Sequence, residues 1–416
     1  MNIDHSIVQL QPTDKTRTRA GKPGWILFSV GLLYISFGVC FALLEFGVPS
    51  ILIHKGIDLA SMGWVIALYV PFGLTFLWAP LVDRFKFPFL GHRVGWIAVA
   101  QLVSSVLLSV VAYSESAPAF LLFWLGLGVC FAVATMDLAL DALAVDAIGP
   151  RYRSVSAGLK VSALAIGGFV GGGVLVGQYQ ALGWTATFLL TAALPLLTLV
   201  PVLFLVGAER AQPAAAVRAS ILQTLRRPQA LLKLALLTVT TTLAISLVYF
   251  QRPILLEMGL DLGDLGWKLG TLAPIVNATA GALAAPLMLW MSPSKVFFGA
   301  IALAAVGTVG FMSYLGVEPS TDVFLWVLIQ GAASTAISVV IYTLILKWAS
   351  RDQAATDYAV LCGSSRLLAT LVLMGVPTVM AQIGWKTFYL VCIAGLVAIA
   401  WPLRREVRSL ADPHND

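Results

Sequence analysis

Twelve stretches of this chain are each long and apolar enough to cross a lipid bilayer, and nothing else in the sequence restricts its fold as strongly. A helix needs about 20 mostly apolar residues to cross the hydrocarbon core. Such stretches run over 25–50, 60–82, 94–113, 118–145, 155–177, 184–206, 231–256, 267–291, 295–316, 321–346, 355–381 and 385–402. Within a bilayer only helices and closed barrels satisfy every backbone polar group, and runs of this length are helices. The 416 residues are 59% hydrophobic and 11% charged, against about 25% charged in soluble domains. The expected fold is an all-α integral membrane protein with 12 transmembrane helices.

Polar segments punctuate these spans. Residues 1–23 lack the apolar core of a signal peptide and read as a mobile cytosolic tail. A connection at 207–232, rich in Ala, Pro and Arg, separates a half at 24–206 from a second half at 233–403, and 404–416 form a C-terminal tail. Lys and Arg concentrate on the side of the termini, at Lys15, Arg84, Lys86, Arg93, Arg226, Lys295, Lys347 and Arg404 among others. The opposite side holds Lys55, Arg252, Lys268 and Lys386, while Lys160 and Arg366 fall within spans. Positive loops stay in the cytosol, so both termini are expected there. The net charge of +6 then reports orientation, and no nucleic-acid partner is expected. Cys40, Cys130, Cys362 and Cys392 each stand alone in apolar runs and read as small fillers. The four histidines are scattered, so no metal centre is expected.

The halves repeat one another. Lys55-Gly-Ile-Asp-Leu-Ala-Ser-Met-Gly-Trp64 returns as Met258-Gly-Leu-Asp-Leu-Gly-Asp-Leu-Gly-Trp267, an offset of 203 (258 − 55). Pro71 and Pro274 keep that offset. Phe46-Gly-Val-Pro49 returns as Phe250-Gln-Arg-Pro253, and Gly183-Trp184 as Gly384-Trp385. Two six-span halves with one orientation are parallel repeats about an axis along the membrane normal, with a solute site between them near mid-membrane. The arrangement resembles that of the major facilitators.

In so apolar a chain, ionisable residues at span depth carry the functional argument. A charge at the bilayer centre costs about 2.5–3.5 kcal/mol on insertion scales. Asp137 and Asp141 lie four residues apart in span four and share a helix face, with Asp146 beyond. One reading turns this face toward water, a cation or a solute. The other pairs it with Lys160, Arg151 or Arg153 to hold two helices together. Lys160 lies near the start of span five, within reach of Asp141 or Asp146. Arg366 is deeper, in span eleven, where an arginine meets a carboxylate or an anionic solute. Glu45, toward the outer end of span one, is a gate or proton-site candidate or an interfacial residue. Arg252 and Glu257 border the outer end of span seven and are expected at the interface. Asn277, Gln330 and Tyr342 are uncharged candidates for solute contact or for helix–helix hydrogen bonds.

Two further patterns stand out. Trp78-Ala-Pro-Leu-Val-Asp-Arg-Phe-Lys-Phe-Pro-Phe-Leu-Gly-His-Arg93 resembles the facilitator signature between spans two and three. Asp83 and Arg84 stand in place, whereas Gly91 and Arg93 come later than usual. Asp83 is placed to cap a helix N-terminus or pair across a cytosolic gate, with Arg84, Arg93, Asp146, Arg151 and Arg153 as its other members. In span five, Gly167 and Gly171, Gly168 and Gly172, and Gly173 and Gly177 are each four apart, a spacing that lets helices approach closely.

Gly56-Ile-Asp-Leu-Ala-Ser-Met-Gly-Trp64, Phe76-Leu-Trp-Ala-Pro-Leu-Val-Asp-Arg-Phe85 and Ala134-Thr-Met-Asp-Leu-Ala-Leu-Asp141 together resemble the AmpG-like branch of the major facilitators. The likeness covers nearly all of the first half and, more weakly, the second. That branch includes muropeptide permeases, acetyl-CoA transporters and the RhtX/FptX siderophore importers. Asp137 and Asp141 match its fourth-span signature, while Met136 replaces a common Gln and Ala142-Leu-Ala-Val-Asp146 lacks the Arg of muropeptide permeases. The further C-terminal spans of some muropeptide permeases are also missing. These departures make the siderophore importers the nearer likeness. The resemblance implies a monomeric secondary transporter of the bacterial inner membrane, working by alternating access. Protons would drive import of a siderophore or iron–siderophore complex, with muropeptide import as the alternative. Asp137 and Asp141 would take the proton or touch the solute, and Arg366 would meet an anionic group.

An intramembrane aspartyl protease brings carboxyls together from two helices, whereas Asp137 and Asp141 share one, so no enzyme activity is expected. A sensor that binds solute without carrying it is a third reading. No nucleotide-binding motif is present, and no cofactor is expected.

Overall fold

The structure, a computed structural model, describes residues 23–58, 62–88, 90–147, 153–209, 224–227, 229–316, 322–348 and 354–411. Among these, twelve helices are long and apolar enough to cross a membrane. In order, spans one to twelve are Gly24–His54, Met62–Ala79, Arg93–Ala112, Ala119–Ala144, Leu159–Gly177, Tyr179–Val206, Ala230–Glu257, Leu262–Met288, Pro293–Ser313, Val323–Ile345, Val360–Ile383 and Trp385–Arg408. The only β-type pairing among the described residues is an isolated bridge between Phe87 and Gly91. The N-terminal tail through residue 22, the connection at 210–223, Arg151 and residues 412–416 lie outside the described residues.

Local chemistry sets the helix ends. Asp261 opens the helix of span eight by accepting from the backbone N–H groups of Gly263 at 2.8 Å and Asp264 at 3.2 Å, which satisfies two donors that no helical carbonyl can reach. Pro293 starts span nine at a position where its missing N–H is not needed.

The sequence repeat is also a conformational repeat. Gly56 and Gly259 both turn the chain at positive φ, 87° and 92°. Gly183 and Gly384 do so at 72° and 75°, each just before the tryptophan that begins a straight crossing. A residue with a Cβ would be strained at these four turns. Span six therefore bends at Gly183, and its straight part starts at Trp184. Two spans of the first half also widen into π turns, at Leu43–Gly47 in span one and Phe169–Val174 in span five. A π turn detaches carbonyls from the regular ladder, and such turns concentrate at functional sites.

The two halves meet along two seams, span two against span eleven and span five against span eight. Small residues make both possible. A Cβ built on Gly73 would stand 2.7 Å from the Cα of Leu367, and one on Gly173 2.9 Å from the carbonyl carbon of Gly270. Gly63 and Gly266, equivalent in the repeat, face the backbones of Met374 and Gly177. Gly168 meets Pro274, whereas Gly167 and Gly171 turn the other way and pack on Gly38 and Val39 of span one. The closest approaches on the five–eight seam lie in the half of the membrane far from the termini, and the two–eleven seam begins at that end. These contacts hold the two halves together at the far end.

The residues read from sequence as a gate sit at helix ends on the side of the termini. Asp83 and Arg84 close the helix Val70–Arg84. Asp146 lies in the last turn of Ala119–Ala147, and Arg153 begins Arg153–Gly168. Arg93 opens span three and donates from Nη1 to the carbonyl of Val82 at 3.5 Å.

Candidate substrate pathway

In the half of the bundle nearer the termini, spans one, four and five bring a charged cluster together. Asp137 and Asp141, one helical turn apart, both face Lys160. The Lys160 ammonium is 2.5 and 2.7 Å from the two carboxylate oxygens of Asp141 and 3.5 Å from Asp137. Tyr34 of span one donates its hydroxyl to Asp141 at 2.6 Å, and its ring lies 5.1 Å from the Lys160 nitrogen. The Asp141 and Lys160 side chains keep 47% and 29% of their surface exposed, so this pair is not sealed in the core.

Arg366 lies deeper. Its guanidinium sits 6.0 Å from the centre of the Phe41 ring. The groups that act on it electrostatically are Tyr342, Cys362, Glu45 and Asp137. Among the described residues it makes no side-chain hydrogen bond and no ion pair. Tyr342 of span ten is 43% exposed beside it.

Below Arg366 an aromatic floor joins the halves. Phe41 packs edge-on against Phe72 at 5.2 Å, and Tyr69 of span two meets Tyr249 of span seven edge-on at 6.3 Å. Both tyrosine hydroxyls are buried without a hydrogen-bond partner among the described residues. Glu45 lies within electrostatic reach of Tyr69, Tyr249, Arg366 and Arg252. It belongs to the π turn of span one.

Arg252 corrects the sequence expectation. It is buried, 9% exposed, rather than interfacial. Its Nη1 donates to the carbonyl of Gly172 in the π turn of span five at 3.0 Å, and its guanidinium lies over the Phe46 ring at 4.9 Å. The carbonyl loosened by the π turn and the face of Phe46 solvate the charge that water would otherwise hold. Arg252 thus ties span seven to spans one and five beneath the floor. Glu257 stays exposed and accepts from the Trp385 indole at 3.3 Å.

Other polar groups serve packing. Gln330 is fully buried, accepting from the Gln251 amide and donating to Thr308 at 2.8 Å. Asn277 lies against Gly331 with its side-chain oxygen buried and unpartnered among the described residues. Sequence reasoning passed over Asp357, which is fully buried at the start of span eleven's helix and accepts from Thr224 and Arg227, each at 2.5 Å. A lone acid in the first turn after a polar loop reads as a helix cap, and nothing in its spacing points to Arg227. Tyr34, Tyr69 and Tyr249 carry no sequence signal beyond their depth. No cluster of His, Cys, Asp and Glu able to hold a metal occurs among the described residues.

Residues 26–320 match the family described as Major Facilitator Superfamily. The chain belongs to that superfamily. This facilitator is 27% identical over 363 residues to the anhydromuropeptide permease of Escherichia coli K12, covering 82% of this chain and 72% of that one. It is 22% identical over 392 residues to a Rickettsia felis chain named as transporter AmpG 4, covering 88% and 93%. Solved structures share the fold. The nucleoside transporter NupG superimposes with a TM-score of 0.71 at 12% identity, covering 92% and 99%, and a D-xylose–proton symporter with 0.68 at 11%, covering 91% and 96%. A bacterial homologue of the lysosomal transporter Spinster, inward-facing and occupied, gives 0.66 at 16%, covering 94% of each chain. The siderophore-importer likeness drawn from the fourth span finds no support among these relatives, which carry the muropeptide-permease and AmpG names instead.

Proposed function

We propose that this facilitator imports an anhydromuropeptide-type solute, a sugar carrying a peptide, across the bacterial inner membrane by proton-coupled alternating access, with both termini in the cytosol. The observation that carries the cargo is the alignment with the anhydromuropeptide permease, which runs through 82% of this chain. The geometry supports a carrier: a charged mouth at Asp137, Asp141 and Lys160, a deep arginine, and a floor shared by two halves that meet through small residues. Of the deep carboxylates, Glu45 has no direct ion pair among the described residues, which leaves it free to exchange a proton when the floor opens.

The test is uptake of radiolabelled anhydromuropeptide into proteoliposomes with an imposed pH gradient, acid outside. Accumulation that collapses with a protonophore supports the reading, with a ferric siderophore left outside. Accumulation of the siderophore alone, or no gradient-dependent uptake, overturns it.

A further inference from the structure

We propose that Arg366 is a carboxylate-reading subsite, and that the solute must present a free carboxylate at mid-membrane depth to be carried. This rests on the permease reading above and specifies which part of the cargo the protein recognises. An arginine within a membrane bundle is normally neutralised by a direct contact, because leaving it unpaired is costly. Two other cations within the described spans are so engaged: Lys160, nearer the termini, by Asp141, and Arg252 by the Gly172 carbonyl. Arg366 alone among these three has no side-chain hydrogen bond and no ion pair with any described residue. Glu45 and Asp137 act on it electrostatically, but neither closes to ion-pair distance. The guanidinium donors are left unspent among the described residues.

The surroundings fix what can occupy that gap. The guanidinium offers a planar fork of donors that a carboxylate fits with two parallel hydrogen bonds. Phe41 lies on one side of it at 6.0 Å, and Tyr342 stands exposed on another. A second cation at this point would face Arg366 directly. A neutral amide would leave one donor of the fork facing an N–H group rather than an oxygen. A carboxylate completes the charge pattern: it takes the fork while Asp137, held by Lys160 only at 3.5 Å, receives a hydroxyl or ammonium donor elsewhere on the solute. A peptide-bearing sugar supplies both kinds of group.

The experiment compares uptake of one radiolabelled anhydromuropeptide and its carboxamide, in which every carboxylate is amidated, into the same pH-gradient proteoliposomes. Wild type, Arg366→Lys and Arg366→Gln are assayed after each is shown to elute as a single folded species. The expected result is an acid-to-amide uptake ratio of at least about tenfold for the wild type, from the loss of charge-assisted hydrogen bonds. The ratio should be intermediate for Arg366→Lys and near one for Arg366→Gln. Equal uptake of acid and amide by the wild type, or an unchanged ratio in Arg366→Gln, overturns the subsite and leaves the permease reading standing. Uptake of neither compound by the wild type overturns the permease reading, and the subsite falls with it.

Discussion

Lys160 places its ammonium 2.5 and 2.7 Å from the two oxygens of Asp141, an ion pair that joins spans four and five. Both side chains are partly exposed, and a partly exposed pair contributes about 0–1 kcal/mol to stability. Its placement, next to Asp137 and Tyr34, matters more than its strength. Lys160→Ala and Asp141→Ala should each leave the melting temperature within a few degrees of wild type while lowering uptake by about tenfold or more. Thermal unfolding in detergent and proteoliposome flux check this on the same preparations. A large loss of stability with flux intact would return the pair to a purely structural role.

Arg252 is held by the Gly172 carbonyl and the Phe46 ring. Replacing it with Met keeps much of its length but leaves that carbonyl unpaired, at a cost of about 1–3 kcal/mol. Arg252→Met should lower the melting temperature and raise labelling of a cysteine introduced near the far end of span eight. Unchanged labelling would show that Arg252 does not hold the far end shut.

The glycine seams make a sharper distinction. A Cβ on Gly266 would lie 2.6 Å from the Cα of Gly177, so Gly266→Val cannot close the far end without moving a helix. Gly375, by contrast, has nothing within 4 Å of its built Cβ, and Gly375→Ala should be neutral or stabilising by up to about 1 kcal/mol. Flux lost in the first and kept in the second is the expected pattern.

Asp357 anchors the segment before span seven. It is fully buried between Thr224 and Arg227. Asp357→Leu removes both acceptors and should cost about 1–3 kcal/mol, most of it from stranded donors. Denaturant or thermal unfolding measures this. Asp357→Asn, which retains one acceptor oxygen, should fall between.

Asp261 lies outside the spans at the far end. Partial desolvation raises its carboxyl, but hydrogen bonds from the Asp264 N–H, the Gln180 amide and the Gly263 N–H outweigh it and hold the group below the usual carboxylate range. A depressed folded value means the contribution is present above the unfolded value, near 3.9, and is lost as pH falls through the folded one. The link from Gln180 to Asp261, 2.7 Å long, should therefore persist at neutral pH and weaken only in strong acid. Far-side accessibility of a cysteine beside Gln180, measured against pH, should stay flat from neutrality down to about pH 5.

Hydropathy and the repeat made the architecture legible from sequence, because span length and turn glycines are local properties. Asp137, Asp141 and Lys160 were legible as a group because helical periodicity sets which residues share a face. Arg252 was not. Its place in the chain put it near an interface, and only the π turn of span five, which offers a free carbonyl, explains why it folds inward. The Tyr69–Tyr249 floor was hidden for a similar reason: it pairs residues from opposite halves, and no spacing within one helix encodes that contact.

The central claim is that the charged groups line a water-filled cavity between the halves that the solute occupies. Tyr342, exposed beside Arg366, reports on it most directly as Tyr342→Cys in a chain whose four native cysteines are replaced. A membrane-impermeant thiol reagent should label this position from the side of the termini, and anhydromuropeptide should slow the reaction. Labelling by lipid-soluble reagents alone, or a rate that no solute changes, would contradict the account.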